Sequence, residues 1–198
     1  MKPTLSILTP AIWIRMEKAN ELALEIEGQI QMLPSSAFQV EHLVLFDNQT
    51  RSVGMKRQAL LDSARGKYIA FVDDDDAVAG NYVAQLLKAA SYDPDVITFK
   101  QQAEINGKVG YIHFDGATGD DPPWQEGQIV KRAPWHVCAW KRELVKDCIF
   151  PDIMDGEDLA WSKQARLNVK SAAHIDAVLH TYVFDSETTA ASGKTFGN

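Results

Sequence analysis

Residues 73–76 are four aspartates in a row, and the apolar run Tyr68–Val72 leads straight into them. Two like charges about 4 Å apart repel by about 4 kcal/mol at an effective dielectric near 20. Such a run is tolerable when some carboxyls stay protonated, when water solvates them, or when a cation neutralises them. In an extended segment Asp73 and Asp75 project to one side and Asp74 and Asp76 to the other. Alternate carboxylates then converge on one hard cation and leave positions open for water or phosphate oxygens. The competing reading is a solvated acidic turn, with Asp76 near the cap of the following helix. Placement at the end of a buried strand favours the metal.

A second acidic group lies in "DGEDLAW", residues 155–161. Asp155 fits a helix N-cap, and Glu157 and Asp158 fall in the first turn, where the helix dipole favours carboxylates. Neighbouring helical residues diverge by about 100°. Glu157 and Asp158 therefore cannot do the same job, though a carboxylate placed there can still face a cleft. The same divergence separates Lys56 from Arg57, so only one of these two cations is expected to serve a site. Thr9 and Pro10 end one apolar run and Asp47 ends another, positions that equally suit an ordinary turn. His136 and His180 are lone histidines, a type more often structural than chemical.

The elements that would position these residues follow from hydrophobic patterning. "TLSILTP" (4–10) is a nearly continuous apolar run and predicts a buried strand. From Arg15 to Leu33, Met16, Ala19, Leu22, Ala23, Ile26, Ile30 and Leu33 recur at helical spacing, and "LPSS" (33–36) breaks the pattern. "EHLVLFDN" (41–48) predicts a second strand, and "SVGMKRQALLDSA" (52–64) a helix capped by Ser52. "YIAFV", a helix over 80–91 and a strand over 95–102 continue the alternation. That order implies a mostly parallel sheet with helices on both faces. In open sheets of this kind ligands bind beyond the carboxyl ends of the strands, where Asp47 and the aspartate run both fall.

After residue 102 the texture changes. Asn106-Gly107 reads as a hairpin turn, and "DGATGDDPPWQEG" (115–127) is a long loop. The expectation is one domain over residues 1–198, with a nucleotide-binding half over about 1–102 and a more irregular half over about 103–198, which the resemblance given below implies to be the acceptor-binding half. The chain is 45% apolar and 24% charged with a net charge of −7, which disfavours a broad phosphate-backbone footprint. A basic cluster of Lys131, Arg132, Lys141 and Arg142 is expected to be surface solvation. No apolar stretch approaches bilayer length and no secretion signal opens the chain, so a cytoplasmic protein with reduced Cys138 and Cys148 is expected.

The stretch "GMKRQALLDSARGKYIAFVDDDDAV" resembles the core of the family 2 glycosyltransferases with the GT-A fold. Other segments fall in the family's order. "LSILTP" is similar to its opening strand and "HLVLFDN" to its second. "HVCAWKRELVKDCIFPDIMDGEDLAW" resembles its acceptor segment ending in a Glu-Asp pair. "VLHTYVFDSETTAAS" resembles its last strand with a trailing serine. The similarity spans residues 4–192. It departs in Asp47-Asn48, where many members carry two aspartates, and in Gln58, where Asn is usual. The Q-x-x-R-W signature of processive polymerases is missing, which favours transfer of a single sugar.

The resemblance implies a nucleotide-diphosphate sugar donor, most readily a UDP-sugar. It also implies a divalent metal, Mn²⁺ or Mg²⁺, on Asp73 and Asp75, and an inverting displacement with Asp158 as base. Glu157 would contact the acceptor or support the site. Thr9 and Pro10 would line the base pocket, Asp47 would meet the nucleoside, and Arg57 the diphosphate, with Arg51 a weaker candidate. Asp74 or Asp76 would meet sugar or ribose, and His180 would approach the phosphates. Trp124, Trp135 and Trp140 suit either a sugar-stacking or a core role. The acceptor is open among glycan, lipid-linked glycan, protein, small molecule and modified nucleic acid. Two alternatives differ in class. Asp74-x-Asp76-x-Val78 resembles the nucleophile motif of haloacid-dehalogenase-like phosphatases, and a silent module could bind a nucleotide sugar without turnover.

Overall fold

The computed structural model describes residues 2–34, 40–116 and 119–186; Ser35 and Ser36 of the expected helix break and the trailing Ser192 lie outside them. The elements are β1 (Leu5–Ile12), α1 (Met16–Gln31), β2 (Val40–Asp47), α2 (Val53–Ser63), β3 (Tyr68–Phe71), β4 (Ala77–Val78) and α3 (Tyr82–Ala90). Then follow β5 (Val96–Ile105), β6 (Lys108–Phe114), β7 (Ile129–Arg132), β8 (Ala139–Lys141), α4 (Arg142–Val145), α5 (Glu157–Arg166) and β9 (Ala172–Phe184). The strands form one sheet in the order β2-β1-β3-β8-β5-β6-β7, with β9 along the other edge of β5 and β4 paired to β9.

The longest ladders are parallel, β1 with β2 and β5 with β9, while β8 and the β5–β6 hairpin bring in antiparallel pairs. The hairpin turns at Asn106 and Gly107, whose φ values of 50° and 76° are the left-handed pair that an Asn-Gly turn supplies. Ser52 caps α2 by accepting from the Met55 amide at 3.1 Å, as its type and position predict.

Strand alternation sorts the core onto two faces. Tyr68 and Ala70 of β3 pack with Leu22, Ile26 and Leu86 under α1 and α3, whereas Ile69 and Phe71 pack with Leu60, Trp140 and Trp161 on the α2 and α5 side. Trp140 therefore belongs to the core. Trp161 stacks on Phe150 at 4.8 Å and meets Trp140 edge-on at 5.5 Å. Burying a large apolar side chain contributes roughly 2–3 kcal/mol, so this cluster fixes α5 against the sheet and with it the orientation of Glu157 and Asp158.

Candidate active site

The aspartate run is a turn rather than an extended segment. The Asp76 amide donates to the Asp73 carbonyl at 3.1 Å, which closes a four-residue loop between β3 and β4. Side-chain alternation therefore does not apply, and each carboxylate takes its own direction. Asp73 accepts both oxygens' bonds from Arg57 Nη2 at 2.7 Å. Asp74 is fully buried and accepts from the Ile12 amide at 2.9 Å and from Arg15 Nε and Nη2. Asp75 pairs with Arg15 Nη1 at 3.2 Å. Asp76 accepts from the Val183 amide at 3.0 Å and lies 3.5 Å from His180 Nε2.

Two arginines thus do much of the neutralising that the sequence reading divided among protons, water and a metal. Arg15 was not among the candidates. Its signal is a cation immediately after the first strand's carboxyl end, but its partners are some sixty residues away along the chain. Asp74 lines neither cavity described below. With both oxygens committed to Ile12 and Arg15 it is closed to a sugar or ribose, and it is equally closed as a phosphatase nucleophile. Burial pushes its pKa up in spite of Arg15.

Arg57 is 1% exposed and sits between Asp73 and Glu157, to which it also donates through Nη1. The burial of the guanidinium opposes its charge, but Asp73 and Glu157 more than offset this and raise its pKa. Glu157 is itself buried, and desolvation pushes its carboxyl up against the pull of Arg57. This Asp73–Arg57–Glu157 chain ties α2, the aspartate turn and the start of α5 together. Lys56 also turns inward, to Asp47 Oδ1 at 3.1 Å and the Ala11 carbonyl at 3.3 Å. Both neighbours therefore turn inward, Lys56 to the groove and Arg57 to the cleft described below, where a single one was expected.

Asp47 is occupied by its own loop. It accepts from the Gln49 and Arg51 amides at 3.1 Å and from Lys56. Burial alone would raise its pKa, but Lys56 and the two amides bring it down. Thr9 is buried and bonds His42 Nε2 at 2.9 Å, so Pro10 alone of that pair lines a groove. The groove lies at the ends of β1 and β2, between Pro10, Arg15, Arg51 and Lys56.

A larger cleft of about 520 Å³ opens beside it. Asp73 and Met154 border both spaces, so groove and cleft meet at the aspartate turn. Asp158 lines the cleft from the first turn of α5. Its Oδ1 accepts from the Leu159 amide at 2.7 Å, and Oδ2 lies 3.7 Å from His136 Nδ1. The N-cap of α5 is Gly156 at φ 80°, a left-handed conformation that glycine takes without strain, and not Asp155 as its type suggested. Asp155 lines the cleft instead, as do Trp124 and Trp135.

Among the described residues no three His, Cys, Asp or Glu side chains are grouped so as to hold a metal ion by themselves. The donors nonetheless suit a hard divalent cation that keeps positions for ligand oxygens. Asp76 of the turn lies 3.5 Å from His180, whose buried Nε2 makes no hydrogen bond. Burial lowers the His180 pKa to about 4, so its ring is neutral at pH 7; Nδ1 faces Gln101 Nε2 at 3.0 Å.

The family model described as glycosyl transferase family 2 matches residues 39–147. A Bacillus subtilis (strain 168) protein named as a glycosyltransferase, EpsH, is 24% identical over 182 residues, covering 82% of this chain and 52% of that protein. Crystal structures of S. aureus TarS share the fold. One superposes with a TM-score of 0.64 over 97% of this chain and 38% of TarS, at 16% identity. TarS 1–349 in complex with UDP-GlcNAc superposes with the same TM-score over 91% of this chain and 58% of that one. The chain spans about half the length of the curated relative it matches. The α/β sheet with flanking helices is the architecture that the resemblance implied. No helix among the described residues is long and apolar enough to cross a membrane.

Proposed function

The chain belongs to glycosyl transferase family 2, and from that premise we propose that it moves one sugar from a nucleotide-diphosphate donor, a UDP-sugar, to an acceptor hydroxyl with inversion. The observation that carries the reading is the meeting of groove and cleft at Asp73. A nucleoside in the groove by Pro10, Arg51 and Lys56 would place its diphosphate at the aspartate turn and its sugar in the cleft. The UDP-GlcNAc complex of TarS supports a uridine donor. Residues 1–102 would then serve mainly the donor and 103–198 mainly the acceptor.

Asp158 would take the proton from the attacking hydroxyl. One of its oxygens holds the Leu159 amide, which fixes the carboxylate, and the other points to the side where His136 stands. A positioned base of this kind contributes about 10²–10⁴ in rate. Glu157 supports the site through Arg57, while Arg57 orients Asp73 and so contacts the diphosphate only indirectly. Asp73 and Asp75 are the residues that would hold Mn²⁺ or Mg²⁺, with His180 beside Asp76 of the same turn; such an ion, when bound, would neutralise charge on the departing diphosphate.

The test is release of UDP from a panel of UDP-sugars by the full chain, with and without Mn²⁺, in the presence of mixed glycan acceptors. Release that needs acceptor and rises with Mn²⁺ supports transfer. Saturable UDP-sugar binding with no release across the panel would indicate the silent module instead.

A further inference from the structure

Of the cations that line the cleft, Arg57 is enclosed by two carboxylates, while Arg132 at the end of β7 has none within ion-pair distance among the described residues. Arg132 Nε donates to the Pro122 carbonyl at 2.8 Å, and its guanidinium carbon lies 5.3 Å from the centre of the Trp135 ring. These two contacts set the plane of the fork. They leave Nη1 and Nη2 without a hydrogen-bond partner among the described residues.

The acid best placed to answer it is spent elsewhere. Asp121 accepts from Arg166 Nη1 and Nη2 at 2.6 and 3.0 Å and from Trp135 Nε1 at 2.7 Å. Trp135 is thus held by Asp121 and in turn holds Arg132. The basic cluster read from sequence is dispersed in the fold: Lys131 faces Asp115, Lys141 faces Asp93, and Arg142 donates to the Gly66 carbonyl. Arg132 alone of the four lines the cleft.

We propose that Arg132 is a specificity residue that recognises an anionic group, a carboxylate or a phosphate, on the carbohydrate bound in the cleft. The proposal rests on the glycosyl-transfer reading above and deepens it. A guanidinium fork held flat on an indole matches the two oxygens of such a group. Half-buried and unpaired, it gains more from a ligand that brings the missing charge than from a neutral hydroxyl. The direction of its pKa agrees: burial lowers it, and Asp121 and Asp158 only partly offset that, in contrast to the raised value of Arg57. The anionic group has two possible sources, an acidic donor sugar or an acidic acceptor.

Two titrations separate them, each run on the full chain as wild type, Arg132→Gln and Arg132→Lys. The donor arm compares UDP-glucuronate with UDP-glucose; the acceptor arm compares glucose 6-phosphate with glucose at saturating UDP. In one arm the wild type is expected to favour the anionic ligand by about tenfold or more. Arg132→Gln should erase that preference, Arg132→Lys should keep a weaker one, and UDP affinity should stay unchanged in all three. Absence of preference in both arms, or a preference that survives Arg132→Gln, overturns the role of Arg132 while leaving the transferase reading intact. Should Arg132→Gln fail to fold, an undiminished preference in Arg132→Lys overturns it instead. Failure of the wild type to bind UDP at all would sink the reading and the proposal together.

Discussion

On the side of the site proposed for the donor, formed by the ends of β1 and β2 and by the aspartate turn, acids are matched by cations and amides. Asp47 has Lys56 and two amides, Asp73 has Arg57, and Asp74 and Asp75 share Arg15. On the side proposed for the acceptor, formed by the 119–127 loop, β7 and the start of α5, two groups keep donors or acceptors open to the cleft. Asp158 spends one oxygen on its neighbour's amide, and Arg132 spends one nitrogen on a carbonyl. Charges matched in this way hold a shape, while Asp73 and Asp75 keep acceptor sites beyond their arginine contacts. Charges left partly open are the ones that can respond to a ligand. Within residues 73–76, Asp74 is sealed by the chain, while Asp73 borders both the groove and the cleft.

The largest test of that contrast falls on the matched side. Arg57→Met leaves Asp73 and Glu157 buried without their shared cation, and breaking a buried ionic network in this way costs about 3–5 kcal/mol. Urea unfolding should register the loss directly. A change below about 1 kcal/mol would mean that protonation or solvent stabilises the two carboxylates without Arg57.

A smaller effect is expected where the two sides are fastened. A Cβ on Gly54 of α2 would stand 1.8 Å from the Pro151 carbonyl oxygen, and the Gly54 amide donates to the Ile153 carbonyl at 3.3 Å. Gly54→Ala should therefore cost about 1–3 kcal/mol as overpacking. It should also displace the 151–155 segment, read as a loss of affinity for ligands in the cleft with UDP affinity less affected.

The smallest effect is a pH signature remote from the chemistry. Burial lowers the His42 pKa from 6.5 to about 4. The folded state thus holds the ring neutral while the unfolded state protonates it first, so stability is full above about pH 6.5 and declines toward pH 4. Chemical unfolding across that window should show a steeper decline for the wild type than for His42→Gln. Identical slopes would mean that the ring is solvated well enough to titrate normally.

Much of the scaffold was legible because its signals are local. Apolar runs and helical spacing located β1, α1, β2, α2 and β3, and Asn106-Gly107 and Ser52 each carried the chemistry of the turn and the cap they form. Local rules failed where the deciding partner is distant in sequence. Nothing near Asp74 announces Arg15 or the Ile12 amide, so the aspartates looked available to a ligand when one of them is sealed. The 100° divergence of Lys56 and Arg57 was sound geometry, yet both found acids because α2 lies against charged groups on two sides. Gly156 displaced Asp155 as cap because the chain enters α5 through a left-handed φ, a property of the preceding loop and not of the helix. Arg132 was hidden among three other cations that the fold sends elsewhere.

The division between matched and open charge is tested most directly at Asp158, by measuring UDP affinity and sugar transfer side by side in wild type and Asp158→Asn. Asparagine keeps the size and the bond to the Leu159 amide but cannot take a proton. Affinity for UDP is expected to stay within about twofold while turnover falls by about 10²–10⁴. Turnover near the wild-type level in a variant that still binds UDP would contradict the account, because the carboxylate left open to the cleft would then be doing nothing that its amide could not.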